Sequence, residues 1–401
     1  MKRILFVDDE KFVLEAICNL LRRHRTEWIM DAALSGQEAL EKLKKADYDI
    51  VCSDMRMPGM DGATFLKEVQ AKYPDTVRLV LTGQASREHI LRTVPYAHQF
   101  LSKPCDQNTL ESTLTRFMRL RDDRRVGNLR EFILGIGSLP TSSAAYQSII
   151  EVLEQPDVSV SSVKRAIERD PCISAKVLQF ANSAFVSPGR PITDLGESIA
   201  LLGFEFIRLV VITNEVLEAN GPLKEVSSLL QREQKQAFQK AQFAKAIAHG
   251  SVSAHDAFSV GAFSSVGRVL IALAAKNLLP SEDPLTLADE SADNQVKALT
   301  AAYDGLGGFL LAAWGLPVNV VEAVTFQNEP EHVLGDNPLV RIAHVTECCA
   351  KVLNARAPSI EASLLPAVLA QSQANGELEQ WYQIAAETFD SHHFVKRAKS
   401  A

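Results

Sequence analysis

The chain has 401 residues, of which 46% are hydrophobic and 23% are charged, and its formal net charge is −7. This composition is typical of a globular protein and excludes a disordered or fibrous chain. The length is enough for two or three domains of roughly 100–200 residues each. The acidic balance argues against a protein that binds nucleic acids or anionic membranes through a broad basic surface.

The sequence also predicts a compartment. No signal peptide is expected, because the opening MKRILFVDDE turns acidic after a short apolar run. The uncharged span from Gly305 to Val321 contains glycines and a proline and is short for a membrane helix. The six cysteines show neither a C-x-x-C motif nor a disulfide framework, so we expect a cytoplasmic protein with no membrane partner.

Residues 1–121 alternate apolar runs with amphipathic segments. Ile4–Val7 and Ile50–Cys52 are apolar without alternation, and Val77–Leu81 is apolar apart from Arg78, which predicts three buried parallel strands. The segments between them, such as KFVLEAICNLLRR, have apolar residues at helical spacing. This order predicts a doubly wound parallel sheet of five strands.

Polar residues follow four of the predicted strands. Asp8 and Asp9 follow the first, Asp54 the third, Thr82 the fourth and Lys103 the fifth. Three carboxylates in one cleft would repel one another unless they shared a hard cation such as Mg²⁺. A lysine and a hydroxyl facing that cation suit a phosphoryl group. The alternative is that each acidic residue only caps the next helix.

These residues lie in motifs that closely resemble the receiver domain of bacterial response regulators, over about the first 120 residues. The matching motifs are VDDE (7–10), SDMRMPGMDG (53–62), LTG (81–83) and FLSKP (100–104). The resemblance implies that Asp54 accepts a phosphoryl group from a phosphohistidine. It also implies that Asp9 and Asp54 hold Mg²⁺ together with the backbone carbonyl of Arg56, with Asp8 assisting through water.

The same resemblance assigns four further residues. Thr82 and Lys103 would bind the phosphoryl oxygens. Phe100 occupies the position of the family's switch aromatic, and Pro104 that of its cis-proline. A sensor histidine kinase or a phosphotransfer protein is the implied donor of the phosphoryl group.

Strand patterns end after this region. The Arg-rich segment from Arg116 to Arg130 also contains acidic residues, which favours a solvated linker, set at 122–130, over a nucleic-acid contact. From residue 131 onward, short helices separated by Pro, Asp and Gly are predicted. We expect an all-α domain over 131–330 and a helical extension over 331–401.

The helical region resembles the HDOD domain, a relative of the HD phosphohydrolases. The resemblance rests on residues 139–185, which include RDPCISAKVLQFANSAF, on SIALLGFEFIRLVVI (198–212) and on AAWGLPVNVVEAV (312–324). In catalytic relatives a His-Asp pair lies in an apolar helix shortly before a glycine and a basic residue. Before Gly267–Arg268 that place is held by Ser264 and Ser265, whereas His255–Asp256 lies nine residues earlier and is predicted to be a solvated helix start.

The other ligand positions of catalytic relatives are also changed. By this alignment they correspond to Lys240, Tyr303 and the pair Gln327 and Asn328. An ammonium group binds no metal, and hydroxyls and amides are poor transition-metal ligands compared with imidazole and carboxylate. We therefore expect no metal or other cofactor in the HDOD domain and no catalysis there.

The sequence thus predicts a response regulator that is not an enzyme. Phosphorylation of Asp54 would control an HDOD module that binds an output partner protein, such as a signalling enzyme. Two alternatives remain at this point: an active phosphohydrolase of a cyclic dinucleotide, and a regulator that binds DNA directly. The absence of a separate basic module argues against direct nucleic-acid binding.

Overall fold

The computed structural model describes most of the chain. The described residues are 1–83, 93, 96–105, 107–122, 139–183, 190–212, 216–217, 224–250, 252–270, 304–332, 337–353 and 359–389. Contacts divide the chain into two units. The first comprises Met1–Leu139, Gln179–Pro191 and Ala312–Gly315; the second comprises Pro140–Leu178, Ile192–Leu311 and Leu316–Ala401.

The first unit contains a five-stranded parallel sheet in the order β2-β1-β3-β4-β5. Its strands are β1 (Lys2–Val7), β2 (Trp28–Ala33), β3 (Ile50–Asp54), β4 (Val77–Thr82) and β5 (Gln99–Ser102). The three apolar runs picked out in the sequence all lie within these strands, which confirms the predicted sheet. In β3 every residue is buried, as expected for a central parallel strand.

Four helices of the first unit lie within the described residues. They are α1 (Lys11–Leu20), α2 (Gly36–Leu43), α3 (Gly62–Lys72) and α4 (Gln107–Asp122). Two begin at side chains that accept a backbone N–H: Ser35 caps α2 and Asp61 caps α3. The cap at Asp61 matters for the site, because α3 begins beside the carboxyl end of β3.

The Arg-rich segment begins within helix α4, which ends at Asp122, where the predicted linker begins. Arg116, the first residue of the Arg-rich segment, lies inside α4 and is half-buried. Its guanidinium donates to the side chain of Gln99 in β5. Glu111 of α4 accepts from Arg23 in a 3₁₀ turn after α1. Arg116 is thus less exposed to solvent than the Arg-rich composition indicates, because composition does not show which face of a helix packs on a sheet. Residues 123–130 of the predicted linker lie outside the described residues.

The second unit is mainly helical. Its described helices are α5 (Ser143–Leu153), α6 (Val160–Ile167), α7 (Pro171–Ala181), α8 (Leu195–Leu202), α9 (Phe204–Ile212), α10 (Lys224–Ile247), α11 (Ala254–Phe263), α12 (Val318–Thr325), α13 (Pro338–Leu353), α14 (Pro366–Ala374) and α15 (Glu377–Phe389). The residues of α7 after Leu178 are assigned to the first unit. Residues 266–270 and 304–313 are also helical. A two-residue parallel ladder, β6 (Thr141–Ser142) with β7 (Val216–Leu217), adds a small sheet that the sequence pattern did not predict.

Helix α10 is the longest described helix of the second unit, and the C-terminal helices pack on it. The rings of Phe243 in α10 and Phe389 in α15 are 5.6 Å apart. In the middle of α10, Gln234 donates to the buried carboxylate of Asp170 at 2.9 Å. Among the described residues, no helix is both long enough and apolar enough to cross a bilayer.

Candidate functional site

The parallel sheet brings three of the predicted site residues to one edge. Asp8 follows β1, Asp54 ends β3 and Lys103 follows β5. The Nζ atom of Lys103 lies 2.5 Å from Oδ2 of Asp8 and 2.7 Å from Oδ1 of Asp54. Both carboxylates are buried, at 1% and 8% exposure, so their charges are compensated mainly by this lysine.

Backbone N–H groups hold the remaining carboxylate oxygens of this edge. Oδ2 of Asp54 accepts from the N–H of Arg56 at 3.0 Å, and Oδ1 of Asp8 accepts from the N–H of Glu10 at 3.0 Å. Burial alone would lower the pKa of the Lys103 ammonium, but its bonds to Asp54 and Asp8 outweigh burial and raise that pKa. Lys103 is therefore a permanent cation at neutral pH.

A cleft of about 590 Å³ opens beside these groups. Its lining includes Asp9, Asp54, Arg56, Asp61 and Lys103. Among the described residues no three His, Cys, Asp or Glu side chains form a ready metal cage. Mg²⁺ does not need one, because it binds through one or two carboxylates and keeps several waters. The exposed carboxylate of Asp9, that of Asp54 and the carbonyl of Arg56 fit this requirement.

The other predicted residues of this edge lie on or after β4 and β5. Thr82 is the last residue of β4 and is in register with Ser102 of β5; its side chain lies outside the described set. Phe100 in β5 is buried. The Lys103–Pro104 peptide bond is cis, which confirms the conformation that the resemblance implied.

The His255–Asp256 pair lies in the first turn of α11, as predicted, but it is more engaged than a solvated helix start. The imidazole Nδ1 of His255 lies 2.8 Å from a carboxylate oxygen of Asp194, and the His255 side chain is half exposed. Asp256 accepts from the hydroxyl of Thr193 at 2.6 Å and from the amide of Asn319 at 3.1 Å. These contacts tie the start of α11 to α8 and α12.

Most of the residues aligned with the ligand positions of catalytic HD relatives lie close together elsewhere in the second unit. Lys240 of α10 lies 3.4 Å from the hydroxyl of Ser265. Gln327, just after α12, donates to the backbone carbonyl of Ser264 at 3.0 Å. Ser264 caps the C-terminus of α11, so the two serines lie in a turn rather than inside the helix. Tyr303 is outside the described residues.

Three charged residues outside the aligned HD ligand positions complete this group. Glu347 of α13 accepts from Lys240 at 2.7 Å and from Arg268 at 2.9 Å. Asp304 accepts from Gln327 at 2.6 Å and from Asn328 at 2.7 Å. We call Lys240, Arg268, Asp304, Gln327, Asn328 and Glu347 the charge centre.

The two carboxyl groups of the charge centre, those of Glu347 and Asp304, have very different pKa values. Burial alone would raise the pKa of Glu347, but the positive charges of Lys240 and Arg268 lower it to about 2. Burial raises the pKa of Asp304 to about 7, although hydrogen bonds from Asn328 and Gln327 act in the opposite direction. Glu347 is thus a fixed anion, whereas Asp304 can exchange a proton near neutral pH.

Comparison with protein families assigns both regions. A model described as the response regulator receiver domain matches residues 4–115. A model described as the HDOD domain matches residues 139–330. The first match contains Asp8, Asp54 and Lys103. The second contains Lys240, and α13 with Glu347 lies beyond it.

Individual relatives match the N-terminal part. The uncharacterized transcriptional regulatory protein YesN of Bacillus subtilis (strain 168) is 32% identical over 121 residues, which are 28% of this chain and 32% of YesN. The transcriptional regulatory protein ZraR of Escherichia coli (strain K12) is 34% identical over 116 residues, which are 28% of this chain and 25% of ZraR. The chain thus spans about a third or less of these relatives.

Among solved structures, one similar to this chain is the signal receiver domain of an HD domain-containing protein from Pseudomonas fluorescens Pf-5. It is 28% identical, with a TM-score of 0.29, and the match covers 30% of this chain and 97% of that structure.

Proposed function

The chain joins a response regulator receiver domain to an HDOD domain, and on this premise we propose that it is a phosphorelay response regulator with a non-catalytic output. Phosphorylation of Asp54 by a histidine kinase or a phosphotransfer protein controls the HDOD domain. That domain binds and regulates a partner protein, such as a signalling enzyme. The observation that carries the proposal is the buried Asp54 carboxylate beside Lys103 at the mouth of an open cleft.

The chemistry assigned to Asp54 is phosphoryl transfer. A carboxylate oxygen forms the new O–P bond while the P–N bond of a phosphohistidine breaks, and the imidazole leaves with the electron pair. Bound Mg²⁺, held by Asp9, Asp54 and the carbonyl of Arg56 with Asp8 assisting through water, would neutralise phosphoryl charge. Lys103 already contacts Asp54 and can turn to the phosphoryl oxygens.

The switch residues follow from the same assignment. The Thr82 hydroxyl is proposed to bind a phosphoryl oxygen, and Phe100 is proposed to change rotamer when it does. Phe100 is buried in β5, next to the strand that ends at Thr82. A change of rotamer there would alter the packing of β5 and thereby the adjoining helix α4.

The charge centre supports a non-catalytic HDOD domain. Lys240 places an ammonium group where a metal ligand would be needed, and Asp304 is already occupied by two amide donors. The matches to transcriptional regulators cover the receiver part, so they do not favour direct DNA binding for this chain. Turnover of a cyclic dinucleotide by the purified protein would contradict this part of the proposal.

Phosphorylation of Asp54 can be tested directly. We expect a small acyl-phosphate donor to phosphorylate the full chain in the presence of Mg²⁺ but not of a chelator, and Asp54→Asn to abolish the label. Asp61→Asn is a matched control, because Asp61 lines the same cleft and asparagine also caps helices well. Mass spectrometry would locate the modification. A label that persists in Asp54→Asn, or that disappears equally in Asp61→Asn, contradicts the assignment.

A further inference from the structure

We propose that the ammonium group of Lys240 is a built-in cation that holds the charge centre together, in a site whose chemistry suits a small alkylammonium ion rather than a metal. The inference goes beyond the proposed signalling role, because it concerns a cation site inside the second unit. It holds whatever partner the domain binds.

Both side chains of the Lys240–Glu347 pair are buried. The Lys240 side chain is 1% exposed and Glu347, its partner at 2.7 Å, is 6% exposed. A buried ammonium is costly unless it is paired and hydrogen-bonded. Lys240 satisfies this condition with the Glu347 carboxylate and, at 3.4 Å, with the hydroxyl of Ser265. The lysine therefore connects α10, α13 and the turn after α11.

Lys240 contacts a buried anion that is shared with a second cation. Glu347 accepts from Lys240 at one oxygen and from Arg268 at the other, and Arg268 also lies 3.9 Å from Glu233. The charge of Lys351 also acts on Glu347, whereas Asp304 keeps its proton up to about neutral pH. Removal of Lys240 would leave the buried carboxylate of Glu347 without the cation at its Oε2 atom, a place that a small cation could take.

Two buried acceptors in this region are unused by the described residues. Oε2 of Glu233 and Oε1 of Gln327 are buried and have no hydrogen-bond partner among the residues that the structure describes. Buried acceptors without donors are uncommon. They show that acceptors outnumber donors in this region.

The contacts of Lys240 suit an ammonium group rather than a metal ion. Within the described part of the chain, no three His, Cys, Asp or Glu side chains converge as metal ligands. The two contacts of Lys240 are a carboxylate and a hydroxyl at hydrogen-bond distances, which match N–H donors. Arg268, whose side chain is 20% exposed, connects the charge centre to solvent.

The test is chemical rescue of Lys240→Ala in the full chain. Alanine keeps Cβ, so n-propylammonium supplies the atoms that are missing. We expect Lys240→Ala to lower the Tm of the second unit by at least about 6 °C. n-Propylammonium chloride should restore at least half of this loss by binding the folded state. Tetramethylammonium chloride, which has no N–H donor, should not.

Lys351→Ala is the matched control, because Lys351 is a lysine of α13 that also contacts the charge centre, donating to Asn328 at 2.8 Å, but is only half-buried. Its Tm should change less and should not respond to n-propylammonium. If Lys240→Ala does not fold, Lys240→Met retains the side-chain volume and tests the charge alone. The proposal is overturned if Lys240→Met is as stable as the wild type, if both ammonium salts rescue equally, or if Mn²⁺ rescues Lys240→Ala better than n-propylammonium.

Discussion

Asp304 shows how one buried side chain can make stability depend on pH. Its carboxyl group is buried, with Gln327 and Asn328 donating to its oxygens and with the charges of Glu347 and Arg268 nearby. Burial raises its pKa from the ordinary 3.8 to about 7. Between these two values the folded state keeps a proton that the unfolded state has released, so the free energy of unfolding must fall as pH rises.

We predict that replacing Asp304 changes the slope of the free energy of unfolding against pH. The Asp304 carboxyl should cost the wild type about 2 kcal/mol of stability between pH 5 and pH 7, because the slope of about 1.4 kcal/mol per pH unit flattens near the folded-state pKa. Asp304→Asn should remove this slope while losing one hydrogen bond at every pH. Glu329→Gln, which changes an exposed carboxyl group nearby, should keep the wild-type slope. Urea unfolding at several pH values measures this, and equal slopes in wild type and Asp304→Asn would contradict it.

At the scale of single residues, the two candidate sites were not equally predictable. Asp8, Asp54 and Lys103 could be placed together because the carboxyl ends of parallel strands meet at one edge of the sheet. The partner of Lys240 could not, because Glu347 is 107 positions further along the chain and belongs to a helix without a distinctive motif. No motif in the sequence marks Asp304, which lies directly after Tyr303.

At the scale of elements, the contact between α3 and β3 depends on Gly62. The N–H of Gly62 donates to the carbonyl of Met55 at 2.9 Å. A Cβ atom at Gly62 would collide with the carbonyl oxygen of Asp54 and lie 2.9 Å from the Cα of Met55. The start of the helix therefore lies directly against the backbone of the proposed phosphoacceptor.

We predict that Gly62→Ala moves Asp54 and impairs its phosphorylation. The methyl group should destabilise the first unit by about 1–3 kcal/mol, as in other overpacked sites. The labelling rate at Asp54 should fall at least about tenfold, because small misplacements of reacting groups are costly. Gly83→Ala is the control: Gly83 lines the same cleft, but a Cβ there meets nothing within 4 Å. Equal labelling of the two variants would show that this contact does not position Asp54.

Strands and helices can be predicted from the sequence where their own residues form a clear hydrophobic pattern. The buried runs of β1 and β3 are continuous and apolar, that of β4 is apolar except for the buried Arg78, and such runs indicate parallel strands. The sequence pattern does not define strand β2, because Asp31 interrupts its apolar run. This strand lies at the edge of the sheet. The close packing of α10 and α11 at Gly261, where a Cβ would lie 2.6 Å from the carbonyl oxygen of Lys240, is a tertiary feature that spacing does not reveal.

For the whole molecule, the question is how an event at Asp54 reaches the HDOD domain. Helix α4 ends at Asp122, and the second unit begins at Pro140. A phosphoryl group adds negative charge and strong acceptors at the edge of the sheet that carries Lys103. A coupling free energy of about 1–3 kcal/mol is typical between sites in one protein, whereas complete conversion between two states needs roughly 5.5 kcal/mol. A partial shift of populations is therefore the expected response.

This shift should be visible by hydrogen exchange on the full chain with and without the small acyl-phosphate donor and Mg²⁺. We expect changed protection in peptides from β5, from α4 and from at least one segment of the second unit, because a regulator must transmit the event beyond its receiver domain. Asp54→Asn treated in the same way controls for effects of the donor. Changes limited to the loops that carry Asp8, Asp54 and Lys103 would mean that the domains are uncoupled, and the proposed control of the HDOD domain would then lack a mechanism.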